Sequence, residues 1–548
     1  MRLLFCSAGR SCGSAPAWWV KYRYTLSVAY LKLYCGMLFR NLDFFPYFCD
    51  MVRLLFTLIL LVSTCFSALS RKHEMRGVWV ATVWGIDCPS RQGTDKSTES
   101  AQKRELTKIL DRCKDMNLTT VVFQVRSMAD AMYESRYEPW SRFLTGKRGA
   151  RPTWNPLEWI VDECHARGLE CYAWVNPFRA PADKDAVSDF DAMCRRNNWL
   201  LTYGKYTTLN PGIEAVREHI VNVCREIVTL YDVDGLIFDD YFYPNGIPEN
   251  ESAPDYRLYK EANTAIPIGQ WRRSNVHKLV ADVSAMIFDE CPDVRFGISP
   301  AGVAGTSGTS ARQWGLTPVD VKAADWQWKD IFSDPVGWLY EGTIDFVSPQ
   351  LYWPTHHVTA PFQPLARWWD YAAGRHGRHS YPSITLADME KSSDSDLLDD
   401  HLLQVEMTGD LSTPGVMLYS AKFLDRIDNA LRYSLFGNKA LSPRADWKYP
   451  HKYDAVEGLC RKGDRLVWNE TAPDTTGATV RYAVYAFPSK LDAAEVADSD
   501  GEPGIDGRYL LGVTYSPEFE IPSRAGKGMT YAVSVLDGNS IEHPYAYL

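Results

Sequence analysis

The sequence predicts an α/β fold, a (β/α)8 TIM barrel, followed by a small all-β sandwich. Between residues 74 and 440, eight short apolar runs rich in Val, Ile, Phe and Tyr alternate with longer stretches of 3.6-residue apolar spacing. The runs are close to continuous in apolar residues, as parallel strands covered on both faces require. Beyond residue 445 the pattern changes to short strands separated by turn residues. A doubly wound open sheet is the alternative, but no Gly-rich G-x-G-x-x-G turn follows any run.

Residues 1–50 show no clear period or caps, and residues 51–67, "MVRLLFTLILLVSTCFS", read as a secretory signal peptide. One Arg precedes an apolar run over 54–62, and small residues follow, with a cut expected after Ser67. Such a segment belongs at the start of a chain. Met51 is therefore the expected start, and residues 1–50 an upstream extension. A lipoprotein reading uses Cys65, the one route by which the protein would be held at a membrane; the apolar run is shorter than the ~20 residues a bilayer needs. Export to the periplasm or cell envelope is expected. Of 13 cysteines, the eight after residue 67 show no C-x-x-C and no metal-ligand spacing. They read as buried thiols, although an oxidising compartment permits a disulfide.

The strands are expected at "RGVWVATV" (76–83), "TTVVFQVR" (119–126), "LECYAWVNP" (169–177), "VDGLIFDDYF" (233–242), "RFGISP" (295–300), "TIDFVSPQLYW" (343–353), "PSITLA" (382–387) and "GVMLYS" (415–420). Helices are expected over 100–117, 155–168 and 212–232 among others; Asn155 can cap the second, Pro156 suits its first turn and Gly168 its end. "SPRADWKYPHKY" (442–453) reads as a Pro-bearing linker, and residues 450–548 as the sandwich. The stretch "TYAVSVLDGNSIEHP" near its end resembles the last strand of a fibronectin type III domain.

A net charge of −9 and a pI near 5.7 argue against a nucleic-acid groove, which needs a basic face. The 19 Trp and 30 Tyr suit either a large aromatic core or the stacking platforms of a sugar cleft, and composition alone favours the core. Barrel chemistry sits at the C-terminal strand ends. Trp84 and Asp87 follow the first strand; Gln124, Arg126 and Asp130 stand at or after the second; Trp174, Asn176 and Arg179 after the third. Asp239, Asp240 and Tyr241 end the fourth, Gln350, Tyr352 and Trp353 the sixth, and Tyr419 the eighth. That lining suits a polyhydroxylated ligand and calls for no cofactor. Arg126 also reads as a structural partner of Asp239. Asp334 reads as a helix cap, Asp345 as structural at the far end, and His356 and His357 as loop residues rather than a metal pair.

Asp239 and Asp240 are the candidate catalytic residues. Adjacent carboxylates at the end of a buried strand raise each other's pKa, so one can hold a proton while the other stays ionised. Glycoside hydrolysis needs that division. A divalent metal is the competing use, but aromatics and amides rather than further carboxylates surround the pair.

These segments together resemble the glycosyl-hydrolase-like 10 family of bacterial envelope proteins. The resemblance rests on "MRGVWVATVWGIDCPS", "VVFQVRSMADAMYESRYEPWSRFLTG", "GLECYAWVNPFRA", "LNPG", "VDGLIFDDYFYP" and "GTIDFVSPQLYW", in order over about residues 74–420. It implies a (β/α)8 barrel and a glycosidase acting on peptidoglycan strands, with Asp239 and Asp240 at the catalytic position. It places Arg126, Asn176, Gln350 and Tyr352 on the other mouth positions. Ser127 and Cys88 depart from the pattern, standing where Pro and Trp are expected. A non-catalytic carbohydrate-binding envelope protein on the same barrel is the alternative, and the intact carboxylate pair favours the enzyme. Two mechanisms stay open: a second acid from another loop, with Asp130 and Asp325 as candidates, or attack by the substrate's own 2-acetamido group.

Overall fold

A computed structural model describes residues 71–548, apart from 182–183, 185–186, 307–309, 391–394, 475, 478, 499–503, 524 and 526–527. The upstream extension, the signal segment and Cys65 lie outside the described residues. The described part belongs to one compact unit, Ser70–Leu548.

The barrel strands are β1 (Met75–Val80), β2 (Thr120–Arg126), β3 (Glu170–Val175), β6 (Gly235–Phe238), β7 (Arg295–Ile298), β8 (Phe346–Val347), β9 (His379–Ser380), β10 (Ser383–Thr385) and β11 (Gly415–Tyr419). All pair in parallel in the order β10-β11-β1-β2-β3-β6-β7-β8-β9. Of the two ends, β10 lies in the strand expected over 382–387, and β9 precedes that span in the same strand position. Pro382, which has no N–H to give a ladder, separates them. Leu351 N–H donates to the Ser383 carbonyl and Ser383 N–H to the Pro349 carbonyl, so the ring closes with eight strand positions. Pro349 likewise cuts β8 short of its expected span.

Outer helices cover the ring as their apolar spacing dictates. In α1 (Lys96–Asp115) the buried residues are Thr98, Gln102, Leu106, Leu110 and Cys113, one face at i, i+4 spacing, and the Asp95 side chain caps its first turn. Further layers are α2 (Pro156–His165), α3 (Glu214–Leu230) and α4 (Ile268–Glu290), the last two packed together. Asn155 stands at the N-cap of α2 but does not cap it; its amide donates to the Tyr231 hydroxyl instead. A hairpin of β4 (Leu200–Tyr203) and β5 (Tyr206–Leu209), not anticipated in the sequence, follows β3. The eight described cysteines are free, six of them buried.

Inside the ring, Met75, Trp79, Val122, Tyr172, Trp174, Ile237, Phe346, Tyr381 and Met417 form their own apolar cluster. The interior is therefore packed rather than an open pore. Beyond the barrel, β12 (Cys460–Lys462), β13 (Arg465–Val467) and β16 (Glu518–Glu520) form one antiparallel sheet. The strands β14 (Arg481–Pro488), β15 (Leu510–Thr514), β17 (Met529–Leu536) and β18 (Ala546–Tyr547) form a second. Leu466, Trp468, Tyr482, Val484, Tyr531 and Val533 fill the core between them.

This C-terminal region docks on the N-terminal strand ends. Arg481 pairs with Glu170 at the start of β3. Tyr515 donates to Asp234 before β6 and stacks on His165 with centroids 3.8 Å apart. Arg295 at the start of β7 donates to Ser540. The segment expected as a linker is itself tied down: Trp447 and Lys448 both donate to Asp345, and His451 lies between Asp293 and Asp474. The structural reading of Asp345 thus gains a purpose, holding the sandwich to the barrel floor.

The Arg481–Glu170 pair is buried, so removing one partner strands the other in a dry site. Arg481→Met should cost roughly 3–5 kcal/mol and lower the thermal midpoint clearly. Arg465→Met, which breaks an exposed pair with Glu518, should cost less than about 1 kcal/mol. Equal midpoints for the two variants would show that the docked face contributes nothing.

Candidate active site

The ladder of β6 stops after Phe238, and the chain turns at once. Phe242 N–H donates to the Asp240 carbonyl, and Tyr241 N–H approaches Asp239 Oδ1 at 3.4 Å. The turn sets both carboxylates at the C-terminal rim, where alternation along a straight strand would have parted them. Asp239 is only 3% exposed; Asp240 is half-buried.

The orientation of the groups around Asp239 follows from an unbroken chain of hydrogen bonds. Thr82 N–H and Val83 N–H both donate to Gln124 Oε1, at 2.9 Å each. Gln124 Nε2 must therefore face the other way, and it donates to Asn176 Oδ1 at 2.7 Å. The Asn176 amide nitrogen is left to donate to Asp239 Oδ2, which also accepts from Trp174 Nε1 at 3.2 Å. Two backbone groups of the first loop thus decide which way Asn176 points. Oδ1 of Asp239 is the less engaged oxygen.

Arg126 was expected either to line the mouth or to pair with Asp239, and it does neither. It is fully buried and forks onto Glu138, Nε to Oε2 at 2.7 Å and Nη2 to Oε1 at 2.6 Å. Its remaining nitrogen donates to the carbonyls of Asn176 and Pro177. It therefore shapes the turn that carries Asn176. Its partner Glu138, twelve residues on in an aperiodic loop, was not foreseen, and Arg126 holds the Glu138 carboxyl at about 2 against its burial. Asp130 is also drawn beneath the surface, where Oδ1 accepts from Ser127 N, Ser127 Oγ and Met128 N. Ser127, one of the departures from the family pattern, is thus a partner of Asp130. Asp325 caps a short helix and accepts from Gly305 N and Ser310 Oγ. Neither candidate second acid is free to face a ligand.

The other expected residues do meet at the rim. Gln350 hydrogen-bonds Asp240 through its side chain and the Ser299 carbonyl through Nε2. Tyr352 stacks on Tyr419 with centroids 5.7 Å apart, close enough to both carboxylates for their charge to raise its phenol further. Arg179 lies between two exposed rings, 4.8 Å from Trp84 and 4.7 Å from Tyr241. Trp353 is half-buried over Gly302, with its carbonyl held by Gln404. Asp87 ties the first loop to the eighth strand end, accepting from Ala81 N, Ser420 Oγ and Lys422 N. Asp334 caps its helix, accepting from Gly337 N–H. Among the described residues, no three His, Cys, Asp or Glu side chains gather as metal ligands.

Burial, and then the charge of Asp240, push the Asp239 carboxyl up to about 8; burial pushes Asp240 up to about 6, against the bond from Gln350. The two titrate as one unit. Near neutral pH the pair holds one proton and one negative charge. It can give a proton to an oxygen and offer a carboxylate to a donor or a positive centre in the same step.

Residues 74–381 match the glycosyl hydrolase-like 10 family. The chain is 31% identical to the glycosyl hydrolase YngK of Bacillus subtilis (strain 168), over 88% of this chain and 99% of the relative. It is 33% identical to the glycosyl hydrolase DigH of Escherichia coli (strain K12), over 54% of this chain and 70% of the relative. Among solved structures, the glycoside hydrolase domain of PgaB (BpsB) from Bordetella bronchiseptica superposes with a TM-score of 0.43 at 16% identity, covering 66% of this chain and 99% of that one.

The raised carboxyl of Asp239 has a consequence for stability. An unfolded Asp titrates near about 3.9, so the folded state keeps a proton that the unfolded chain releases. The stability this contributes is full below about pH 4 and is lost as pH rises through about 8. Asp239→Asn removes that loss. Its thermal midpoint should fall less than that of the wild type between about pH 5 and pH 8. Parallel slopes would mean that Asp239 is already ionised across this range.

Proposed function

The chain belongs to the glycosyl hydrolase-like 10 family, and on that premise we propose that it hydrolyses an N-acetylhexosamine-containing glycan of the bacterial envelope, peptidoglycan strands above all. The observation that carries this reading is the pair of buried Asp239 and half-buried Asp240, with one proton between two carboxyls at the barrel mouth. The reading includes export by the segment over 51–67 and a fibronectin type III-like C-terminal sandwich, whose three- and four-stranded sheets support that assignment.

Neighbouring carboxylates on one strand end cannot easily flank a sugar from opposite sides, as an ordinary glycosidase pair does. Asp130 and Asp325 are both engaged within their own loops. These two facts favour attack by the substrate's acetamido group. Its N–H donates to Asp239 Oδ1, adding to the donors that carboxylate already receives, which draws Asp239 to the ionised form and leaves the shared proton on Asp240. The acetamido oxygen attacks the anomeric carbon and the glycosidic C–O bond breaks. The leaving oxygen takes the proton of Asp240, giving a cyclic oxazolinium whose charge Asp239 balances. Asp240, now a base, takes a proton from the water that reopens the ring.

The protein over residues 68–548 should be incubated with stripped peptidoglycan strands, and separately with chitin and plant glucans, with products read by mass. Release from the acetamido-bearing strands and not from plant glucans is expected. Binding without any product would favour the carbohydrate-binding alternative. Asp239→Asn and Asp240→Asn should each lose about 100-fold or more in rate while staying folded. The kcat/KM profile should be bell-shaped, with limbs near 6 and 8. A thiazoline mimic of the cyclised intermediate should inhibit. Near-normal turnover by Asp240→Asn, together with abolished turnover by folded Asp130→Asn or Asp325→Asn, would assign the acid elsewhere.

A further inference from the structure

Arg179 stands at the rim, and the proposed reaction does not use its charge. Its guanidinium lies between the rings of Trp84 and Tyr241, which are 57% and 44% exposed. Rings at 4.8 and 4.7 Å engage a guanidinium through its faces, and its N–H donors lie along its edge. Among the described residues that edge donates no hydrogen bond and makes no ion pair. It stands near enough to Asp239 and Asp240 to lower both carboxyls, yet neither takes its hydrogen bonds. The half-buried guanidinium groups of Arg167, Arg273 and Arg378 all donate hydrogen bonds, Arg167 to Asp111 and Glu163, Arg273 to the Trp328 carbonyl and Arg378 to the Ile344 carbonyl.

All three parts of the stack are held from below. The main chain at Arg179 bridges to Thr208 of β5, and Ala180 N–H donates to Thr207, so the unanticipated hairpin fixes its position. Trp84 follows directly on the two residues anchored by Gln124, with φ at +55°, a conformation a bulky side chain rarely adopts. Tyr241 follows the carboxylate pair. A rigid, planar donor fork is thus aimed at the rim, close to the bond to be cleaved.

We propose that Arg179, framed by Trp84 and Tyr241, is the specificity residue of a subsite for a carboxylate-bearing sugar adjacent to the cleaved linkage. A guanidinium fork matches a carboxylate with two parallel N–H···O bonds. Trp84, with one face on Arg179, offers the other to the sugar ring. This inference rests on the glycan-hydrolase reading and narrows its substrate. The carboxylate is either that of a uronic acid or an ether-linked one on an N-acetylhexosamine.

The test compares three oligosaccharides of equal length: a neutral N-acetylhexosamine polymer, one alternating with uronic acid, and one alternating with an ether-linked carboxylate. Binding by calorimetry and kcat/KM are measured for the wild type, Arg179→Gln and Arg179→Lys. The wild type should prefer one acidic oligosaccharide over the neutral one by roughly 10- to 100-fold, as two charge-assisted bonds allow. Arg179→Gln should bring that ratio close to one, and Arg179→Lys, which keeps the charge without the fork, should restore only part of it. Equal binding of all three by the wild type, or an equal loss on all three in Arg179→Gln, overturns the proposal. Preferential binding without turnover would uphold the subsite and sink the hydrolase reading; turnover without preference would do the reverse.

Discussion

Everything at the mouth of this barrel depends on keeping the Asp239 carboxyl out of water. Burying a carboxylate is costly, and here the cost appears as a carboxyl held near 8. Hydrogen bonds offset part of it, and the two side-chain donors, Trp174 and Asn176, are each aimed by something further back. Trp174 is packed edge-on against Trp79 inside the ring, with centroids 5.0 Å apart. Asn176 is turned by Gln124, which is turned in its place by the main chain of the first loop. Arg126, clamped by the buried carboxylate of Glu138, donates to the carbonyls of the Asn176 turn. Such a chain of polar groups is stable only if every member is satisfied, and the direct pairing of β1, β2, β3 and β6 as neighbours in the sheet brings those members side by side.

The two ends of the barrel divide the work. The C-terminal rim carries amides, exposed rings, one stacked guanidinium and the carboxylate pair. The N-terminal end carries Glu170, Asp234, Arg295 and Asp345, each met by a group from the sandwich or the segment before it. Polar strand starts that would otherwise need water are capped by a second layer of protein. The rim is left free for a ligand, and the floor on which it stands is fixed.

Much of this was legible in the sequence. The apolar runs located the barrel strands because strands buried on both faces leave a continuous signal, although most ladders stop short of the expected ends, by as much as six residues in β8, and the halt at Asp239–Asp240 marked the candidate site. Pro349 and Pro382 were visible too, but their effect, ladders cut short and one strand divided, depends on which neighbour needs an N–H. What pattern could not reveal was pairing. Arg126 is a mouth residue by position and a buried clamp by partner, and its partner Glu138 lies in a loop without period. Asp130 turns inward for the same reason, onto the donors of its own loop, Ser127 and Met128. The hairpin over β4 and β5 is only half-buried and carries little apolar alternation, so neither it nor the Arg179 stack it supports announced itself.

The central claim is that Asp239 and Asp240 serve a reaction in which the substrate's acetamido oxygen is the nucleophile. Rates on a series of aryl N-acetylhexosaminides bearing one, two and three fluorines on the acetyl group test it most directly, because fluorine weakens that oxygen and leaves the rest of the sugar unchanged. Acetamido attack requires kcat/KM to fall steeply and progressively along the series, and the fall to persist in Arg179→Gln. A flat series in an active enzyme would contradict the account and place the nucleophile on the protein.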